Sequence, residues 1–129
     1  MPTTASTAPL YAIKADLFRS LAHPTRIQVL ETLSADADHA ASVTRLLAAT
    51  GAEASALSQH LAVLKRAGVV TSERTGNAVV YRLSRPLVAE LLVVARAFLR
   101  ETLRASGAQL AAADELPALS EVRPGGDGS

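Results

Sequence analysis

The most strongly patterned part of the sequence is ASALSQHLAVLKRAGVVTSERTGNAVVYRL, residues 54–83. Its first half repeats leucine at the spacing of one apolar stripe along a helix, at Leu57, Leu61 and Leu64. Gly68 follows at the place where a helix-ending glycine is expected. We therefore predict an amphipathic helix over about residues 54–67.

The second half of this stretch has the composition of a β-hairpin. Residues 69–74 and 79–83 are rich in Val, Thr and Tyr, and Gly76 and Asn77 lie in the connection between them. Glycine and asparagine tolerate the positive φ angles that a tight hairpin turn requires. The helix is thus predicted to run into a two-stranded hairpin.

On either side of this stretch, capping residues, prolines and the spacing of apolar residues predict four more helices. The predicted ranges are Pro9–Ser20, Pro24–Ser34, a short helix from the N-cap Ser42 to Gly51, and a long helix from Pro86 to about Leu103 or Arg104. The polar residues 35–41 are predicted to form a turn. This order predicts a mainly α (α+β) winged helix-turn-helix with about five helices and a two-stranded wing.

Composition limits the classes of protein that remain. Apolar residues make up 49% of the chain and aromatic residues 3%, the net charge is +1, and there is no cysteine. Disulfides, thiolate metal sites and thiol redox sensing are therefore excluded. The N-terminus has no secretory pattern and the most apolar stretch is too short to span a bilayer, so we expect a cytoplasmic protein without a membrane partner.

The chain is predicted to form a single domain between two ends that have no clear apolar periodicity. Residues 1–8 are expected to be flexible, and residues 9–104 are expected to form the one folded domain. Residues 105–129 are expected to be a tail with a short helix followed by disorder, since the chain ends in Pro and Gly.

The exposed face of the predicted 54–67 helix has the side chains that read DNA. Hydroxyl and amide groups hydrogen-bond base edges, and cations at the margins contact phosphates. Residues 54–85 also hold five basic residues against one acidic residue, which concentrates positive charge there. The candidate DNA-binding residues are Ser55, Ser58, Gln59, His60, Lys65, Arg66, Arg74, Asn77 and Arg82.

Two stretches, LFRSLAHPTRIQVLETL and SALSQHLAVLKRAGVVTSERTGNAVVYRL, resemble the ArsR/SmtB family of bacterial transcriptional repressors. The resemblance covers about residues 9–104. It implies a homodimer that binds an inverted repeat in double-stranded DNA and is released by an inducer. It places Ser55, Ser58, Gln59 and His60 on the recognition helix and Arg74, Gly76 and Asn77 on the wing.

The last helix independently predicts dimerisation, because it is apolar on nearly all sides and a small core cannot cover it. Burial of this helix within a monomer is the alternative. The candidate interface residues, with the first helix included, are Leu10, Ile13, Leu17, Leu87, Leu91, Val94 and Phe98.

The resemblance implies an effector, but the sensing residues of the best-known members are missing. Cysteines are absent from SVTRLLAAT in the third helix, and the fifth helix offers only Glu90 and Glu101. Asp36, Asp38 and His39 are grouped in a segment whose composition favours a turn over a metal site. We expect no metal, no cofactor and no enzymatic activity, and leave the effector unidentified. The alternative function is a protein-interaction winged helix that does not read DNA.

Overall fold

The computed structural model describes residues 7–106. Within them, five helices and three strands follow one another in the order α1 (Ala8–Leu21), α2 (Pro24–Ala35), β1 (Ala40–Ser42), α3 (Val43–Thr50), α4 (Ala54–Arg66), β2 (Val70–Thr75), β3 (Ala78–Leu83) and α5 (Pro86–Ser106). The winged helix-turn-helix prediction is confirmed, and the helix bounds differ from the predicted ones by at most three residues. The predictions for residues 1–6 and 107–129 lie outside the described residues.

Local sequence signals explain where the helices begin and end. The side chain of His23 accepts a hydrogen bond from the Thr25 N–H, which caps α2 just before Pro24. Ser42 Oγ accepts from the Arg45 N–H at the start of α3, as predicted for an N-cap. Gly51 ends α3 in the left-handed conformation, with φ of 69°.

The turn after α4 is a Schellman motif. The Gly68 N–H donates to the carbonyl of Lys65, and the Val69 N–H donates to the carbonyl of Leu64, both at 3.0 Å. Gly68 has φ of 80°, a left-handed conformation that glycine adopts at little cost. This motif sets the direction in which the chain leaves α4 and enters the hairpin.

The sheet has one strand more than the sequence predicted. β2 and β3 pair antiparallel through a two-residue loop, and β1 pairs antiparallel with the other edge of β3, giving the order β1-β3-β2. The two-stranded prediction was incomplete because residues 40–42, Ala-Ala-Ser, have no strand-like composition of their own. Their pairing depends on the free edge of β3.

The core lies between α2, α3, α4, the base of the hairpin and one face of α5. Its side chains are almost all aliphatic and include Leu30, Leu33, Leu46, Leu57 and Leu64, all fully buried. Burying a leucine side chain contributes about 2 kcal/mol relative to leaving it in water. α1 is the exception, because only Ser20 and Leu21 of this helix are buried.

Candidate nucleic-acid interface

α4 presents two faces of different chemistry. Leu57, Leu61 and Leu64 hold one face against the core, while Ser55, Ser58 and Gln59 are exposed on the other. No acidic residue lies within Ala54–Arg66. A face with hydroxyl and amide groups and no carboxylate is chemically suited to contact base edges and phosphates.

The connection between α3 and α4 is short, consisting of Gly51, Ala52 and Glu53. Ala52 packs against the core, and the Leu57 N–H donates to the Glu53 carbonyl at 2.9 Å. A short turn that contains glycine and joins two helices is the signature of a helix-turn-helix, in which the second helix is the one that enters the major groove. α4 is this second helix.

The last turn of α4 is connected to the hairpin by a side-chain hydrogen bond. Lys65 Nζ donates to Ser72 Oγ on β2 at 2.9 Å. Arg66 is exposed one residue further on and makes no hydrogen bond or ion pair within residues 7–106. Both cations therefore lie at the end of α4 that is nearer to the hairpin along the chain.

The hairpin carries the other predicted cations. Arg74 pairs with Val79 across the ladder, one step from the Gly76–Asn77 loop, and both Arg74 and Asn77 are exposed. Arg82 lies on the central strand, where its Nη1 donates to the Asp38 carbonyl at 3.2 Å. The wing thus has a polar tip and a basic flank.

His60 differs from the other candidates because it is half-buried. Its Nδ1 accepts a hydrogen bond from Arg26 Nη1 at 3.1 Å, and its ring lies 4.2 Å from that of His23. Burial, and then the charges of His23 and Arg26, lower the pKa of His60. The ring is therefore neutral near pH 7 and joins α4 to the start of α2, while its DNA contact stays a prediction.

The predicted dimerisation residues also fall into two groups. Leu10, Ile13 and Leu17 on α1 and Leu87, Val94 and Phe98 on α5 are exposed, with Phe98 at 72%. Leu91 is half-buried and packs against the core of its own chain. Three further apolar residues outside the candidate list are also exposed, namely Tyr11, Phe18 and Leu99.

Asp36 organises the segment before β1. Its carboxylate accepts hydrogen bonds from the backbone N–H groups of Asp38 and Ala40 and pairs with Arg45 at 3.1 Å. These bonds, with that of Asp38 the largest contribution, lower the pKa of Asp36. Across residues 7–106, no three His, Asp or Glu side chains are grouped as a metal site.

The geometry defines a class of protein with a DNA-reading helix and a basic wing, and comparison with known proteins agrees. A helix-turn-helix domain model matches residues 21–73. The HTH-type transcriptional regulator Rv0081 of Mycobacterium tuberculosis is 44% identical over 119 residues, covering 92% of this chain and 94% of that protein. The repressor SmtB of the same organism is 38% identical over 78 residues, 60% of this chain and 56% of that protein.

Solved structures give the same result. The crystal structure of Rv0081 superposes with a TM-score of 0.70 at 48% identity, covering 78% of this chain and 98% of that one. A homodimeric winged helix-turn-helix DNA-binding domain from Mycobacterium bovis, Mb0332, has a TM-score of 0.69 at 27% identity, with 80% and 93% covered. The chain belongs to the ArsR/SmtB family of helix-turn-helix transcriptional regulators.

None of the described helices is both long enough and apolar enough to cross a membrane.

Proposed function

We propose that the protein is a cytoplasmic, homodimeric transcriptional repressor that binds an inverted-repeat operator and is released by an effector. The observation that carries this proposal is the exposed, acid-free face of α4 beside a basic hairpin. Its role is one of binding and not of catalysis. Family membership supports the class of function, and the residues of this chain supply the details.

Base reading is assigned to the exposed side chains near the start of α4. Ser55, Ser58 and Gln59 are short polar residues close to the end of the helix that faces the groove in helix-turn-helix proteins. Lys65 and Arg66 are assigned to phosphates, because a cation at the end of a reading helix neutralises backbone charge without selecting a sequence. His60 is given a supporting role, since its Nδ1 is already bonded to Arg26.

The wing is assigned to the neighbouring part of the duplex. Arg74 and Asn77 lie at its tip, where an arginine can enter the minor groove, and Arg82 lies further back as a phosphate contact. The pairing of β1 with β3 holds this hairpin on the body of the domain.

Dimerisation is assigned to α1 and α5. α1 leaves Leu10, Ile13 and Leu17 exposed, and α5 leaves Val94 and Phe98 exposed. Grouped exposed apolar residues of this kind mark interaction surfaces. A second copy related by a two-fold axis would cover both helices with the same residues. Two reading helices related by such an axis match an inverted repeat with half-sites about one helical turn apart.

The experiment is a salt titration of binding to the region upstream of the protein's own gene, measured by fluorescence anisotropy and followed by footprinting. Each phosphate neutralised lowers the slope of log K against log salt by about 0.9, so we expect a steep linear loss and two protected half-sites. Scrambled DNA of the same composition is the control. Binding that is weak, insensitive to salt and equal on both DNAs would instead support a protein-interaction module.

The contribution of the wing can be tested with a matched pair of variants. Arg74→Gln should weaken operator binding and reduce the salt slope by about one phosphate, whereas Arg104→Gln removes the same charge from the end of α5. Equal effects from the two variants would contradict the assignment of Arg74.

A further inference from the structure

A cleft of about 420 Å³ lies where α1, α2 and α4 meet. Each of the three helices contributes one arginine to its lining, Arg19, Arg26 and Arg66 respectively. Asp16 is the one acidic residue of the lining, and it already pairs with Arg19. Three arginines against one aspartate leave the lining with a net positive charge, which favours an anion.

The three arginines are held to different degrees. Arg26 is half-buried and fixed by two hydrogen bonds, from Nε to the Ser20 carbonyl at 2.7 Å and from Nη1 to His60 Nδ1 at 3.1 Å. Arg66 is exposed and has no hydrogen bond or ion pair within the described part of the chain. A ligand in the cleft would thus meet one oriented guanidinium and one that is free to close on it.

The cleft is open to solvent, and the chemistry of its lining fits phosphate. Guanidinium groups bind phosphate oxygens with paired hydrogen bonds. Donors that approach from three helices suit a tetrahedral phosphate better than a planar carboxylate, while Val63 and Ala67 supply an apolar wall for the rest of the molecule.

We propose that this cleft is a binding site for a small phosphate-bearing anion and that occupancy lowers the affinity for DNA. The regulatory half of this proposal rests on the proposed function. Arg26 joins the end of α1 to His60 of α4, so the cleft borders both a helix assigned to the dimer and the helix assigned to base reading. A bound dianion would neutralise positive charge at the end of α4 that contacts phosphates, and the two anions would therefore oppose each other's binding.

Binding is tested first without DNA. The full chain, labelled with ¹⁵N, is titrated with inorganic pyrophosphate at constant ionic strength, with sodium chloride as the blank. We expect saturable amide shifts centred on residues 16–20, 26 and 63–67. Loss of a charge-assisted bond should weaken binding by about tenfold or more in Arg19→Gln and Arg66→Gln. Arg104→Gln, with the same charge loss on α5, should bind like the parent.

The outcomes distinguish a free phosphate compound from the DNA backbone as the anion that the cleft binds. They also test the cleft site and the proposed function separately. Shifts that do not saturate, or that centre on the wing, would overturn the cleft site. So would an Arg66→Gln variant that loses DNA affinity and salt slope while binding pyrophosphate normally, because Arg66 would then serve the DNA backbone alone. Parent protein that binds pyrophosphate in the cleft but never binds DNA would refute the proposed function and leave the site standing.

The regulatory step is tested by repeating the DNA titration at saturating pyrophosphate. We expect the operator Kd to rise by about 5-fold or more, the lower end of ordinary allosteric coupling. The rise should disappear in Arg19→Gln, a variant outside the assigned DNA contacts. An operator Kd that is unchanged by pyrophosphate, or that rises equally in Arg19→Gln, would refute control of DNA binding by the cleft.

Discussion

The ion pair between α2 and α5 is almost completely buried. Arg96 Nη2 lies 3.4 Å from Glu31 Oε1, and the two side chains are only 14% and 10% exposed. Arg96 Nε and Nη2 have no hydrogen-bond partner within residues 7–106. Burial raises the pKa of Glu31 more than the charge of Arg96 lowers it. Burial is therefore the larger of the two influences on the pKa of Glu31.

Replacing both members by apolar residues of similar size should stabilise the fold. Each buried polar group without a partner costs about 1–3 kcal/mol, and exchanges of buried ion pairs for apolar residues range from neutral to about 4 kcal/mol stabilising. For Glu31→Leu combined with Arg96→Met we expect the free energy of unfolding to rise by about 2 kcal/mol. Arg96→Met alone should lower it by about 3 kcal/mol at pH 7, because a buried carboxylate loses its partner.

The single variant also has a predicted pH dependence. Without Arg96, the pKa of Glu31 in the folded state rises further above its unfolded value of 4.5. The folded state then binds a proton more tightly than the unfolded state, so the stability contributed by protonated Glu31 is lost as pH rises above 4.5. The deficit of Arg96→Met should therefore be larger at pH 7 than at pH 5.

The assay is urea unfolding followed by far-UV circular dichroism, at one protomer concentration because a dimer's stability depends on it. Glu31→Leu completes the double-mutant cycle, and Arg104→Met, exposed on the same helix, is the control, expected within about 0.5 kcal/mol of the parent. If Arg96→Met costs less than about 1 kcal/mol and the double variant gains nothing, the pair behaves like a solvated surface pair and is not a costly buried one.

Three further predictions concern other parts of the molecule. Ser58→Ala with Gln59→Ala should reduce discrimination between operator and scrambled DNA by about 2 kcal/mol while the melting temperature holds; full discrimination would place base reading elsewhere. Phe98→Asp should convert the dimer to monomer by sedimentation, whereas Thr44→Asp, exposed on α3, should not; a dimeric Phe98→Asp variant would contradict the α5 interface. The pKa of Asp36 is lowered, so its carboxylate stabilises the fold above pH 3.8 and this stabilisation is lost as pH falls below that value. The stability difference between parent and Asp36→Asn should therefore shrink below pH 3.8, and a constant difference would exclude the charge as its cause.

The elements that the sequence predicted correctly are those with strong local signals. The leucine spacing at Leu57, Leu61 and Leu64 specifies the buried face of α4, and the glycines Gly51 and Gly68 mark helix ends that only a positive φ explains. The hairpin follows from its turn residues. These signals depend on residues that are close in sequence, so they can be read without knowledge of the tertiary structure.

Features that depend on distant partners could not be predicted in the same way. Strand β1 forms because it pairs with an edge of β3 about 40 residues later, and the composition of residues 40–42 does not by itself indicate a strand. Glu31 and Arg96 look like residues of solvated helix faces until α2 and α5 pack together. His60 lies in a sequence pattern typical of a DNA-reading helix, and only the tertiary structure brings Arg26 close enough to donate a hydrogen bond to its Nδ1.

The third strand has a consequence for the length of DNA that the protein can recognise. Ser42 ends β1 and caps α3, and β1 is hydrogen-bonded to β3, the second strand of the wing. Together with the Lys65–Ser72 bond, this closes a loop of contacts around the helix-turn-helix and the wing, so neither can swing without breaking the other's attachments. In the proposed complex, the distance between the base pairs contacted by α4 and those contacted by the wing would therefore vary little. We expect an operator with one base pair inserted between these two positions to bind more weakly, because the DNA would have to bend.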